Sequence, residues 1–164
     1  MKKTFILAAL LVGLILFAGE TSHFFHHTTV GDKAPSFVLP VVDSAVTLDN
    51  NHGDYVLINF WNSTDAVSRR DANRYRAWKR RYPQTPVEII GVNFDDSEAL
   101  FHEIVRLDSL EQSKQFHASG DTARIIIDNY GLERGYGAVL IDPEGKVAAY
   151  NPSDSQLDDI FAIH

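Results

Sequence analysis

The sequence contains no cysteine among its 164 residues. That absence excludes a disulfide framework, a thiolate metal site, a thiol nucleophile and a lipid anchor attached through a lipobox cysteine. Positive charge is scarce as well: 15 Lys and Arg stand against 22 Asp and Glu, a formal net charge of −7. Generic nucleic-acid binding has no electrostatic support. Internal repeats and low-complexity tracts are also missing. With 45% hydrophobic and 23% charged residues, the composition is that of one globular domain with a core, not of a disordered chain.

Only one long apolar run is present, from Phe5 to Ala18, preceded by Lys2 and Lys3. It is shorter than the ~20 residues of a comfortable membrane span. A positive start followed by a short apolar stretch predicts a secretory signal peptide over residues 1–19. Ala18 suits the −1 position, whereas Leu16 at −3 is larger than cleavage favours. A short, uncleaved N-terminal anchor is therefore the alternative, and this segment is the one membrane contact expected. Without Lys2 and Lys3 the formal charge falls from −7 to about −9, an acidic exported domain of the periplasm or cell envelope. Residues 20–30 read as a linker and 31–164 as the domain. His23, His26 and His27 fall in the linker, and no carboxylate pattern completes a metal site with them. No cofactor is implied.

Two short extended runs, Ser36–Leu39 and Ala45–Leu48, predict a small hairpin. Tyr55–Trp61 is a near-continuous β-branched and aromatic run, the pattern of a strand buried on both faces. Ser63–Tyr82 reads as a helix with Val67, Ala72, Tyr75, Trp78 and Tyr82 along its inner stripe, and Pro83 stops it. Val87–Phe94 is a second strand; Ser97 caps a helix that turns Leu100, Phe101, Ile104 and Val105 inward. A further helix over Asp121–Tyr130 aligns Ala123, Ile126, Ile127 and Tyr130, with Gly131 as its stop. Ala138–Asp142 and Val147–Tyr150 flank a turn, and Asp154–Ile163 closes the chain as a helix. The order hairpin, β, α, β, α, α, β, β, α predicts an α/β fold, a mixed sheet with helices on both faces.

Five segments in that order carry a family resemblance: Val30–Phe37, Gly53–Trp61, Glu88–Asp95, Tyr130–Leu132 and Leu140–Val147. Together they resemble the exported TlpA/ResA-type branch of the AhpC/TSA thioredoxin-like superfamily. The resemblance implies a thioredoxin-like fold over nearly all the chain after Val30, and it points to thiol–disulfide oxidoreductase activity. The departures decide more than the matches. Where the family has Cys-x-x-Cys after its Phe-Trp strand end, this chain has Asp65 and Ser68 within Asn62-Ser63-Thr64-Asp65-Ala66-Val67-Ser68. Dithiol exchange needs a thiolate to attack a disulfide and a second thiol to resolve the product. A carboxylate and a hydroxyl do neither, so the chain alone cannot run that reaction. Where the family has its cis-proline, this chain has Tyr136, followed by Gly137. A cis bond before a non-proline residue costs ~2.5–4 kcal/mol, so a trans link and a reshaped loop are expected.

With no catalytic residue, the old site reads in two ways. In one, Ser63, Thr64, Asp65 and Ser68 simply start a helix, since capping accounts for all four residue types. In the other, Trp61, Asn62, Ser63, Thr64, Asp65, Ser68, Tyr136 and Gly137 form a non-covalent surface for a protein or peptide partner. The competing function is a redox-family protein acting with a cysteine-bearing partner, or a structural subunit beside such a relative. A serine hydrolase would need His52, His102 or His117 beside Ser63 or Ser68, a placement the sequence does not supply. The helical block Arg69–Arg81 holds seven of the 15 Lys and Arg residues and reads as a solvated face, with contact to an anionic partner or a membrane surface as the alternative. Asp95 and Asp96 read as turn residues ahead of the Ser97 cap.

Overall fold

A computed structural model describes residues 28–41, 44–47 and 53–163. The predicted signal segment, the histidine cluster, Leu48 and His52 lie outside the described residues. A two-stranded antiparallel hairpin, β1 (Val38–Val41) and β2 (Ser44–Thr47), precedes the main sheet. It sits one or two residues from the predicted runs and admits Pro40 because a lone hairpin has no neighbour needing its missing N–H.

The main sheet has five strands: β3 (Tyr55–Trp61), β4 (Val87–Asn93), β5 (Gln115–His117), β6 (Ala138–Ile141) and β7 (Val147–Tyr150). Their spatial order is β5-β4-β3-β6-β7. The β3–β4 and β4–β5 pairs are parallel, whereas β3–β6 and β6–β7 are antiparallel. This is the expected mixed sheet, with β5 as an edge strand the hydrophobic pattern does not announce. The segment before the hairpin is tied to the start of β7 through Gly31 N–H to Val147 O at 2.8 Å and Ala34 N–H to Gly145 O at 2.9 Å.

Among the described residues, four α-helices accompany the sheet: α1 (Ala66–Arg81), α2 (Glu98–Leu107), α3 (Gly120–Tyr130) and α4 (Asp154–Ile160). Alternation along β3 divides its side chains between the two faces. Val56, Ile58 and Phe60 pack with Ile126 and Tyr130 of α3, and with Phe37. Leu57 packs with Tyr75 and Trp78 of α1 and Leu157 of α4. Trp61 forms a third cluster with Ala72 of α1 and with Phe101, Ile104 and Val105 of α2. Each fully buried large side chain contributes about 1.5–3 kcal/mol.

The inner stripe of α1 is Ser68, Ala72, Tyr75 and Trp78. Val67, expected on that stripe, is 55% exposed, because the helix phase set by Ala72, Tyr75 and Trp78 brings Ser68 inward instead. Leu100 is likewise exposed, since Phe101, Ile104 and Val105 set the phase of α2 one residue later. Gly131 ends α3 in the left-handed conformation, φ 64°, as its position predicts.

Most of the basic block on α1 is spent inside the molecule. Arg69 makes a bidentate pair with Asp108 at 2.6 and 2.8 Å, which holds the Asp108 carboxyl below its ordinary pKa. Arg74 donates to Asp154 at 2.8 Å and to the Pro152 carbonyl, and Lys79 donates to the Thr85 carbonyl at 2.6 Å. Burial pushes the Tyr75 hydroxyl up to about 12, and it donates to Pro152 O at 3.1 Å.

Candidate functional site

The strand–helix junction is built by short polar side chains that bond their own backbone. Asn62 Oδ1 accepts from the Thr64 amide at 3.0 Å and from its hydroxyl at 2.6 Å, closing an Asx turn. Asp65 is the N-cap of α1: its Oδ1 accepts from Ser68 N–H at 2.8 Å, and the Ser68 hydroxyl donates back to Asp65 O at 3.2 Å. The capping reading thus describes Asp65 and Ser68, the two residues that the resemblance sets against the family's thiols. Asp65→Ala should cost about 1 kcal/mol, a fall in Tm of roughly 3–5 °C by thermal circular dichroism. An unchanged Tm would show that Ser63 or Thr64 takes over the cap.

A second loop anchors this junction, and the sequence reading missed its central residue. Asp95 follows β4 in the expected connection to the next helix and is 4% exposed. Its Oδ1 accepts from Ser63 N–H at 2.9 Å, its Oδ2 accepts from Asn93 Nδ2 at 2.9 Å, and its own N–H donates to Asn93 Oδ1 at 3.0 Å. His117 Nε2 meets the Asp95 carbonyl oxygen at 2.7 Å, and Asn62 Nδ2 donates to Phe94 O at 3.0 Å. The available signal was the Asn93-x-Asp95 spacing, which suits reciprocal side-chain-to-backbone bonding. His117 reaches this neighbourhood through β5, yet its Nε2 meets a backbone carbonyl and not a serine hydroxyl, so it forms no serine triad among the described residues.

Tyr136 closes the other side. Its ring stacks on Phe94 with centroids 5.5 Å apart and planes 12° off parallel. Burial first, then the nearby Asp65, Asp95 and Asp96 carboxylates, raise its pKa, so the hydroxyl stays a neutral donor. No peptide bond among the described residues is cis, and Tyr136 sits between Gly135 (φ 139°) and Gly137. Gly137 O accepts from Phe60 N–H at 2.8 Å. A Cβ on Gly137 would lie 2.3 Å from Asn151 Oδ1, the acceptor of the Ala138 amide at 2.7 Å, so a larger residue there would push that side chain off its hydrogen bond.

Not every residue of the expected surface reaches it. Trp61 is fully buried in the cluster with Phe101, and its Nε1–H donates to Gln115 Oε1 at 3.2 Å. Ser68 is also fully buried. These two support the site from beneath and offer no contact area. The accessible rim consists of Thr64, exposed, with Asn62, Ser63, Asp65, Tyr136 and Gly137 half-buried. Val67, Asp96 and Gly135 extend it as exposed neighbours. No group of His, Cys, Asp and Glu among the described residues has the arrangement of a metal site. No described helix is long and apolar enough to cross a membrane.

A model of the AhpC/TSA family matches residues 30–150. The chain belongs to the AhpC/TSA family. Within it, the ResA-type relatives are similar in sequence: the thiol-disulfide oxidoreductase ResA of Bacillus subtilis is 29% identical over 80% of this chain and 69% of its own length. ResA of Bacillus cereus is 26% identical, covering 83% of this chain and 76% of that one. The fold matches a thioredoxin-like protein from Parabacteroides distasonis with a TM-score of 0.69 at 27% identity, covering 82% of this chain and 96% of that one. A thiol:disulfide interchange protein from Bacteroides sp. matches with a TM-score of 0.73 at 20% identity, over 83% and 92% of the two chains. This AhpC/TSA member is therefore a TlpA/ResA-type thioredoxin-fold protein whose sequence holds no cysteine.

Proposed function

We propose that this AhpC/TSA member is a redox-inactive thioredoxin-fold module that holds a protein or peptide partner non-covalently in the cell envelope. The observation that carries the reading is the capping pair Asp65 and Ser68, bonded to each other's backbone in a chain without cysteine where the resemblance implies a thiol pair. What survives of the family's site is its rim. Thr64, Asp65 and Asp96 supply acceptors and negative charge, and the Tyr136 ring offers a rigid, half-buried edge with a neutral hydroxyl. Such a rim suits an extended segment with N–H donors and basic side chains. Export rests on the Lys2-Lys3 start and the apolar run to Ala18.

Two measurements test this. With dithiothreitol, the purified chain should reduce insulin no faster than the reagent blank; catalysis above the blank overturns the redox-inactive half of the reading. In a pull-down from the native envelope, bound protein should elute with salt or detergent in the absence of reductant. Capture should drop about tenfold for the Asp65→Ala/Tyr136→Ala variant. Equal capture by this variant would remove the rim from consideration.

A further inference from the structure

The described residues begin at Thr28, and from there the chain runs along the outer edge of β7. Ala34 N–H donates to Gly145 O at 2.9 Å, Gly31 N–H to Val147 O at 2.8 Å, and the Tyr150 hydroxyl to Thr28 O at 2.6 Å. Traced from Ala34 back to Thr28, the segment thus advances antiparallel to β7 and arrives at the last residue of that strand. The next residue of the chain beyond β7 is Asn151, and its Oδ1 accepts from the Ala138 amide at 2.7 Å, which joins this end of the strand to the Gly135–Gly137 loop.

A cavity of about 260 Å³ lies at that place, between the end of α3, the Gly135–Gly137 loop and the end of β7. Its walls are Phe60, Tyr130, Leu132, Tyr136, Val139 and Tyr150, and no charged side chain lines it. Gly135 and Asn151 are exposed, and Tyr136 and Tyr150 half-buried, so the space is reached from solvent. A Cβ on Gly135 would meet no atom within 4 Å, in keeping with open room on the loop. An uncharged, aromatic lining selects an uncharged hydrocarbon or aromatic group. A cavity of about 150 Å³ already takes a benzene ring.

Residues 20–27 are polar but for Phe24 and Phe25, which stand four and three residues ahead of Thr28. An extended chain spans at most ~3.3–3.6 Å per residue, so these two reach roughly 10–14 Å beyond Thr28. Tyr150 both bonds Thr28 and lines the cavity, which brings the cavity within that reach. Water disfavours two bare phenyl rings in a polar stretch. A cut after Ala18 would leave both rings on the chain.

We propose that this cavity seats the chain's own Phe24-Phe25 segment, one phenyl ring lying against Leu132, Tyr136 and Tyr150. Tyr136 and Gly137 also belong to the rim, so the segment borders it, and the proposal stands whether or not the rim holds a partner. The test uses the full ¹³C,¹⁵N-labelled chain in detergent micelles. Ring protons of Phe24 or Phe25 should give nuclear Overhauser contacts to the Leu132 and Val139 methyl groups. Benzene serves as the competing probe. In the Phe24→Ala/Phe25→Ala variant it should shift the Gly135 and Gly137 amide signals saturably. It should bind that variant at least about tenfold more tightly than the unaltered chain, where a tethered ring already holds the place. Absence of the Overhauser contacts overturns the proposal. So does equal benzene affinity for the two chains, which would leave the cavity open for a partner's side chain, or the lack of any saturable shift in the variant. Contacts seen only between labelled and unlabelled copies in a mixed sample would assign the cavity to a second copy and overturn it too. If the variant does not fold, the Overhauser contacts of the unaltered chain decide alone.

Discussion

Trp78→Ala is expected to destabilise the domain by about 3–5 kcal/mol and to lower Tm by roughly 10–20 °C. The indole is fully buried and fills the space between α1 and the C-terminal segment. Its ring lies 5.5 Å from that of Tyr82 and 5.7 Å from that of Phe161. Its Nε1–H donates to Asp158 Oδ1 at 2.8 Å, so truncation opens a cavity and also strips a partner from a half-buried carboxylate. Trp78→Phe separates the two contributions. It keeps most of the ring volume and loses the hydrogen bond, and should cost about 1–2 kcal/mol. Thermal unfolding followed by circular dichroism measures both. A loss below about 1 kcal/mol for Trp78→Ala would mean that α4 is not docked on α1 in solution, because the cavity cost alone exceeds that figure.

The contrast between Trp78 and Trp61 shows what a sequence discloses. Trp78 falls in phase with Ala72 and Tyr75, and helical period alone places it inside. Trp61 ends a strand beside the position to which the resemblance assigns the family's active site, and a tryptophan there reads as a contact residue. Only the packing of α2 across the sheet, which brings Phe101 to 6.1 Å from its ring, reveals it as core. The same distinction runs through the fold. β3 and β4 are legible because strands covered on both faces are largely apolar, with Asn59, Glu88 and Asn93 as the exceptions. β5 is only Gln115–His117, at an edge, and its residues are chosen for tertiary bonds: Gln115 to Trp61 and His117 to Asp95. Nothing periodic marks such a strand. Val67 and Leu100 mislead for a related reason: an apolar residue at the first turn of a helix can point outward when polar Ser68, or the next aromatic, has the inward position. Asp65 was readable as a cap from local chemistry, whereas Asp95 owes its burial to loops that meet only in three dimensions.

Installing sulfur at the two altered positions should produce the largest change in function. The Asp65→Cys/Ser68→Cys variant should reduce insulin at least about tenfold faster than the dithiothreitol blank, where the unaltered chain adds nothing. The scaffold still presents the geometry: position 65 caps α1, and the side chains at 65 and 68 already meet each other's backbone at 2.8 and 3.2 Å. A thiol at a helix N-terminus ionises more readily, because exposed N–H groups and the helix dipole favour the anion. That thiolate attacks one sulfur of an insulin disulfide and expels the other as a thiolate. The second thiol then attacks the mixed disulfide, releasing reduced insulin and closing an internal disulfide that dithiothreitol reopens. Asp65→Cys alone should stop at the mixed disulfide, visible as an adduct by mass spectrometry. Ser68→Cys alone should give neither adduct nor turnover, since that position is fully buried. A folded double variant that forms its internal disulfide yet leaves insulin untouched would place the block elsewhere. It would lie in the Gly135-Tyr136-Gly137 loop, where Tyr136 stacked on Phe94 occupies the ground over which a substrate chain must approach.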